Sequence, residues 1–189
     1  MYNGAIPGML RTLDPHSNFF DPKAYGLFRE DQHGKYYGVG MTVGPRNNKV
    51  IVIAPFVGTP AYRAGIRPGD IIAAVDGKPT DGLNTADVAE LLKGPKGTQV
   101  RITIVREGLD KPIEFTVTRD EIPRYSVDLH FLVRPGIGYM HVSGFNETTE
   151  DEVQAALDEF GDLKGLILDM RQNPGGLLSE AVGVSDKFL

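Results

Sequence analysis

The alternation of apolar and polar positions is clearest at Val100-Arg101-Ile102-Thr103-Ile104-Val105-Arg106, where the period of two predicts a half-buried β-strand. A turn separates it from Ile113-Glu114-Phe115-Thr116-Val117-Thr118-Arg119, which repeats the pattern. Upstream, Val50-Ile51-Val52-Ile53-Ala54 is a continuous strand-like run, and Met41-Thr42-Val43 starts another short strand. Helical spacing appears where the alternation stops. Ile6, Met9, Leu10 and Leu13 fall at i, i+3, i+4 and i+7, with Asn3 as cap or Pro7 as the first residue, and Asp21-Pro22 reads as cap and first position of a second helix through about Glu30. Phe19 and Phe20, in the loop between them, are expected to pin it in a core. Val88, Leu91 and Leu92 form one stripe that Gly94 stops.

The last third carries a different rhythm. Gly138-Tyr139-Met140-His141-Val142 is a strand, and Thr149 with Glu152 forms a capping box before a helix whose stripe is Val153, Ala156, Leu157 and Phe160, ended by Gly161. Gly165-Leu166-Ile167-Leu168 is fully apolar, the pattern of a strand in a sheet covered on both faces. The loop Arg171-Gln172-Asn173-Pro174-Gly175-Gly176 then opens a helix carrying Leu177, Leu178, Ala181, Val182, Ser185, Phe188 and Leu189. This is a strand-helix-strand-loop-helix unit of an α/β layer.

Glycine placement adds chemistry. Tyr37-Gly38-Val39-Gly40-Met41 can turn consecutive amides toward one point, a concave nest suited to a carboxylate, while the strand behind it offers an edge for another chain. A dinucleotide cradle would need glycine at position 43 and a helix after it; Val43 and continuing strand exclude it. Thr59-Pro60 and Ala64-Gly65 bracket a short helix with Thr59 as cap and Gly65 as left-handed stop, and Asp76-Gly77 marks a tight hairpin.

With 41% hydrophobic and 24% charged residues, the 189-residue chain has the composition of a folded protein with room for one large or two small domains. A net charge of −5 and no basic stripe argue against nucleic acid and anionic membrane surfaces as partners. Cysteine is absent, which removes disulfides and thiolate metal sites, and His16, His33, His130 and His141 make no metal-ligand spacing, so no metal is expected. No apolar run is long enough to span a bilayer, and Met1-Tyr2-Asn3-Gly4 does not begin a secretory signal.

The Gly38-Val39-Gly40-Met41 loop, the Ala64-Gly65 helix end, Gly69-Asp70-Ile71-Ile72 and the Asp76-Gly77 turn, in that order, resemble a PDZ domain. A closing strand at Phe115 to Arg119 follows the second helix, the circularly permuted order of PDZ domains embedded in bacterial and plastid proteases. The resemblance implies that Gly38, Val39, Gly40 and Met41 bind a peptide carboxylate, and that Thr42, Val43, Val88 and Leu92 line the peptide groove. Leu166-Ile167-Leu168-Asp169-Met170-Arg171-Gln172-Asn173-Pro174-Gly175-Gly176 is similar to the hallmark of the carboxyl-terminal processing, or tail-specific, proteases, whose serine nucleophile is activated by a lysine. That resemblance places an oxyanion-hole amide on Gly175 or Gly176, preferably Gly175.

The expected fold is α+β: a helical lead-in over 1–35, a permuted PDZ domain over 36–121, and the first part of an α/β protease domain over 122–189. Ser17, Ser126, Ser143, Ser179 and Ser185 match no nucleophile position of the family, so the chain reads as an amino-terminal fragment that is inactive by itself. The resemblance implies a parent endopeptidase acting on protein carboxyl termini, without a cofactor, in an extracytoplasmic setting such as a bacterial periplasm or membrane surface, and compatible with an oligomer. A non-catalytic PDZ adaptor is the alternative. Arg106, at a strand end, is expected to project off the small domain, and the resemblance implies that it couples that domain to the protease body.

Overall fold

The computed structural model describes residues 2–189. It divides into two compact units, Lys35–Arg124 and a second made of Met1–Gly34 with Tyr125–Leu189.

The Lys35–Arg124 unit contains β1 (Lys35–Gly38), β2 (Met41–Arg46), β3 (Lys49–Pro55), α3 (Pro60–Ala64), β4 (Ile71–Val75), β5 (Lys78–Pro79), α4 (Thr85–Leu92), β6 (Gln99–Val105), β7 (Ile113–Thr118) and β8 (Asp120–Pro123); α1 (Tyr2–Leu10) and α2 (Pro22–Gln32) precede it in the chain. Its main sheet runs β2-β3-β4-β6-β7 with β5 on β4, and β1 pairs antiparallel with β8. That last pair moves the domain edges outward from 36 and 121, because Lys35 and Pro123 are partners in one ladder. The alternation of β6 buries Val100, Ile102 and Ile104 completely, against Val52, Ile72, Val75 and Val88. Fully burying one such branched side chain is worth roughly 1.5–3 kcal/mol, so this cluster is what holds the sheet and α4 together.

Local signals act largely as expected. Asp76 and Gly77 both take positive φ, 48° and 75°, which makes the β4–β5 hairpin a primed turn. Gly65 ends α3 at φ 85°. Thr59 occupies the N-cap position but makes no cap bond; its hydroxyl lies against the carbonyls of Phe56 and Gly40, at 2.7 and 2.8 Å. Competition from those buried acceptors diverts it.

In the other unit the strands are β9 (Val127–Arg134), β10 (Ile137–Val142) and β11 (Gly165–Asp169), with α5 (Thr149–Phe160) as the crossover between parallel β10 and β11 and α6 (Leu178–Asp186) after the glycine loop. Four expectations change here. Pro7 lies inside α1 instead of opening it. The expected capping box does not form: Thr148 is the cap residue, and the Glu152 carboxylate instead accepts from the amides of Ser126 and Val127 at 2.7 and 2.8 Å, fastening the start of β9. The sheet is covered on one face, by the cluster of Val127, Met140, Val142, Val153, Ala156 and Val184, whereas Leu129, Phe131, Val133 and Ile167 remain about half exposed. Phe19 and Phe20 are not in a core; Phe20 stacks on Phe28 at 5.0 Å.

The helical lead-in is not a separate body. The Gln32 carbonyl accepts the Glu147 amide at 2.8 Å, His33 pairs with Glu147 at 2.8 Å, and a Cβ on Gly34 would lie 2.9 Å from the Asn146 side chain. These contacts put the end of α2 in the same unit as β9–β11.

Candidate functional sites

The first site is built on the β1–β2 connection. Gly40 turns the chain with φ 77°, and its carbonyl accepts from Phe56 N–H at 3.0 Å, while the Val39 carbonyl accepts from Ala61 N–H at 2.8 Å. Both carbonyls are therefore tied back to the domain. Among the described residues no hydrogen bond is made by the amides of Val39 or Gly40, although both residues are buried. Backbone amides in folded proteins nearly always have a partner, which sets these two adjacent ones apart. Next to them β2 stands at the end of the sheet, with β3 on one side and no described strand on the other, and α4 packs against β2.

The expected groove residues separate into two groups. Val88 and Leu92 are closed into the core with Val39 and Met41, while Val43 is partly open and Thr42 is exposed on the strand edge. Of the four expected groove residues, Thr42 and Val43 are therefore the accessible ones, and Val88 and Leu92 belong to the core. Gly38 belongs to the β1 ladder and contributes spacing through its small size, since a Cβ there would meet the Tyr36 ring at 3.2 Å.

The second site is the glycine loop between β11 and α6. Phe145 N–H donates to the Gly175 carbonyl at 3.0 Å and Leu177 N–H to the Phe145 carbonyl at 2.8 Å, a single parallel bridge that lays the loop along residue 145. At Gly176, φ is 148° and a Cβ would sit 2.0 Å from the Phe145 oxygen, so only glycine fits. The structure distinguishes the two glycines. Gly175 N–H donates to the Asn173 side-chain oxygen at 2.8 Å, whereas Gly176 N–H has no partner among the described residues. In this conformation the Gly176 amide is open, while that of Gly175 is held by an Asx-type bond.

Two side-chain groups missed in the sequence flank this loop. Asp169, 7% exposed, takes the Arg171 guanidinium through Nε at 3.0 Å and Nη2 at 2.6 Å and accepts the Tyr139 hydroxyl at 2.6 Å. The Arg171 fork, then the Tyr139 hydroxyl, hold the Asp169 carboxyl well below the usual carboxylate range, and the bond to Asp169 pushes the Tyr139 phenol up. His141 Nδ1 lies 2.6 Å from Asp128 and Nε2 lies 3.1 Å from the Arg171 carbonyl. Both ring nitrogens face acceptors, so the imidazolium is the form that satisfies them, and Asp128 foremost, with the Arg171 carbonyl, raises the His141 pKa. The outcome is a loop whose first residue is fixed by both its backbone and its side chain.

The sequence matches the PDZ domain family over residues 52–106 and peptidase family S41 over residues 136–189. It is 38% identical over its whole length to a carboxy-terminal-processing protease of Bartonella bacilliformis, and 35% identical over its whole length to carboxy-terminal processing protease CtpA of Bacillus subtilis. The chain belongs to the carboxy-terminal processing protease family. It spans 44% and 41% of the length of those two proteases. The solved photosystem II D1 C-terminal processing protease superposes on 98% of the chain and 53% of its own, with TM-score 0.50 and 31% identity. The α+β assignment, a permuted PDZ-like β domain followed by the start of a protease core, stands for this family member.

One site assignment is corrected by the geometry. Arg106 does not project off the PDZ unit: Nε and Nη2 meet the two oxygens of Asp70 at 2.7 and 2.8 Å, and Nη2 also donates to the Gly65 carbonyl at 2.9 Å. Asp70 is 1% exposed, and its Oδ2 also accepts the Arg67 amide at 2.8 Å. A buried carboxylate next to a strand-end arginine draws that side chain inward, because leaving the charge alone would be far more costly than ordering the arginine. Arg106 therefore closes the loop between α3 and β4, and its fork is committed within the domain.

Proposed function

We propose that the Lys35–Arg124 domain binds the free carboxyl terminus of a polypeptide as an added strand beside β2, with the terminal carboxylate on the amides of Val39, Gly40 and Met41. The observation that carries this reading is the pair of unpartnered amides at Val39 and Gly40 adjoining an open strand edge. A peptide ending in a free apolar residue should bind the chain, and its terminal amide should bind about tenfold or more weakly, since a charge-assisted hydrogen bond is worth roughly 1.5–3 kcal/mol. Equal affinities for acid and amide in a fluorescence titration would overturn the carboxylate assignment.

We infer further that the parent protein is a serine endopeptidase of Ser-Lys type acting on protein tails in an extracytoplasmic compartment, with the Gly175-Gly176 loop supplying oxyanion stabilisation and tail binding regulating cleavage. Backbone amides at a strand's end opening a helix suit a tetrahedral oxyanion. The nucleophile and its base are then residues outside this chain. In support, the hydroxyls of Ser126, Ser143 and Ser185 each donate locally, to Glu152 at 3.0 Å, the Ser126 carbonyl at 3.0 Å and the Ala181 carbonyl at 2.7 Å. None is paired with a lysine. The isolated chain is expected to resist labelling by a fluorophosphonate and to leave tail-bearing proteins uncut; stoichiometric labelling at any serine, read by mass spectrometry, would reverse that conclusion.

A further inference from the structure

Arg119 is the single residue between β7 and β8 of the PDZ unit, and it is 8% exposed. Its guanidinium reaches the last turn of α4: Nε donates to the Leu92 carbonyl at 3.0 Å and Nη2 to the Leu91 carbonyl at 3.0 Å. The remaining nitrogen, Nη1, is anchored to the Thr98 hydroxyl at 3.0 Å and the Gln99 carbonyl at 3.2 Å. Among the described residues all four partners are neutral oxygens and none is a carboxylate, so this cation is held by the carbonyl end of the helix together with the start of β6. The backbone around it is equally fixed. Arg119 N–H donates to Thr98 at 2.8 Å, its carbonyl accepts from Gly97 at 2.9 Å, and Gly94 leaves the side chain its path, since a Cβ there would lie 2.9 Å from Nε.

The helix end so held is the wall of the cleft. α4 stops at Leu92, Lys93 is extended, and Gly94 N–H then donates to the Tyr37 carbonyl at 3.3 Å, one residue before the nest begins. The last carbonyls of a helix have no intrahelical donor. Here a planar fork meets two of them at once, which fixes both the height and the rotation of the final turn, a task an ammonium group cannot perform in the same way. Leu92, whose carbonyl is one of the two, carries a side chain buried in the same core cluster as Met41.

We propose that Arg119 is a positioning residue for the peptide cleft: by clamping the carboxyl end of α4 to β6 it sets the spacing between that helix and β2, and with it which terminal side chain the pocket accepts. The inference rests on the tail-binding reading of the same cleft. Its test is a pair of peptides identical except for a terminal Leu or Ala, titrated against the whole chain well below its unfolding temperature. Arg119→Lys keeps the cation and removes the fork. It should weaken the Leu-ended peptide about tenfold, or ~1.4 kcal/mol, and weaken the Ala-ended one less, so that discrimination between the two narrows. A merely structural Arg119 would lower the melting temperature and leave that ratio unchanged. Thr98→Val removes one anchor of the same guanidinium, should fold if Arg119→Lys does not, and should narrow the ratio in the same direction by a smaller factor. An unchanged ratio in the folded variants, with wild type binding both peptides, overturns the clamp alone; failure of the wild-type chain to bind either peptide overturns the cleft reading beneath it.

Discussion

Asp70→Asn is expected to lower the stability of the PDZ unit by about 3 kcal/mol, the low end of the cost of breaking a buried ion pair by removing one partner. The low end applies because Asp70 is 1% exposed but Arg106 is 18% exposed, so the stranded guanidinium regains some water. The loss is compounded at the Arg67 amide, which would face an amide side chain where it now meets a carboxylate oxygen at 2.8 Å. The pair also predicts a pH dependence. Burial opposes ionisation of Asp70, but the Arg106 fork and the Arg67 amide outweigh it and leave the carboxyl pKa lowered. A depressed folded-state pKa means that the stabilisation is fully present above the unfolded value of about 3.9 and is lost as pH falls below it toward the folded value. Urea unfolding of wild type and Asp70→Asn should thus differ most near neutrality and converge in acid. A difference at neutral pH under about 1 kcal/mol would place the pair with exposed salt bridges of little consequence.

Gly40→Ala should abolish measurable tail binding and destabilise the unit by roughly 2–3 kcal/mol, combining a left-handed backbone with a steric collision. The added Cβ would lie 2.4 Å from Thr59 Cβ and 2.7 Å from its oxygen, and φ is 77°. Relief requires moving Thr59, which bonds both Phe56 and Gly40, or rotating the peptide plane that presents the Met41 amide. Either motion disorganises the nest. Gly58→Ala is the matched control: φ is 79° but a Cβ meets nothing within 4 Å, so it should cost only the backbone strain and leave affinity intact. Both variants are read by the same peptide titration and thermal melts. Gly40→Ala binding as tightly as wild type would remove this loop from the recognition site.

How far the site could be read in advance follows from the range of the interactions concerned. The turn at Gly40, the β4–β5 hairpin turn and the glycine loop were legible because positive-φ glycines and a strand's alternation are local properties, set by residues within a few positions. Glu152 was misassigned because its partners, Ser126 and Val127, lie 26 and 25 positions away, and no local pattern ranks that contact above a cap. The Asp169-Arg171-Tyr139 group escaped for a similar reason: Tyr139 and Asp169 are brought together when β10 and β11 pair in parallel, 30 residues apart. The strand β9 was passed over although Val127, Leu129, Phe131 and Val133 alternate along it, with Leu132 alone out of pattern.

What the sequence by itself determined is therefore most of the elements, though not β1, β8 or β9, together with the permuted order of the small domain, the glycine-bearing loops and the family. Tertiary structure decided which charged groups are structural. Arg106 and Arg119 each follow directly on a strand, where no local pattern names a partner for either, yet one is fixed by buried Asp70 and the other by the carbonyl end of α4. Each arginine's partners are 20 or more residues away, and only the closed sheet brings the charge and its acceptors to the same place. A buried cation must find hydrogen-bond acceptors, charged or neutral, and which are available is a property of packing in three dimensions.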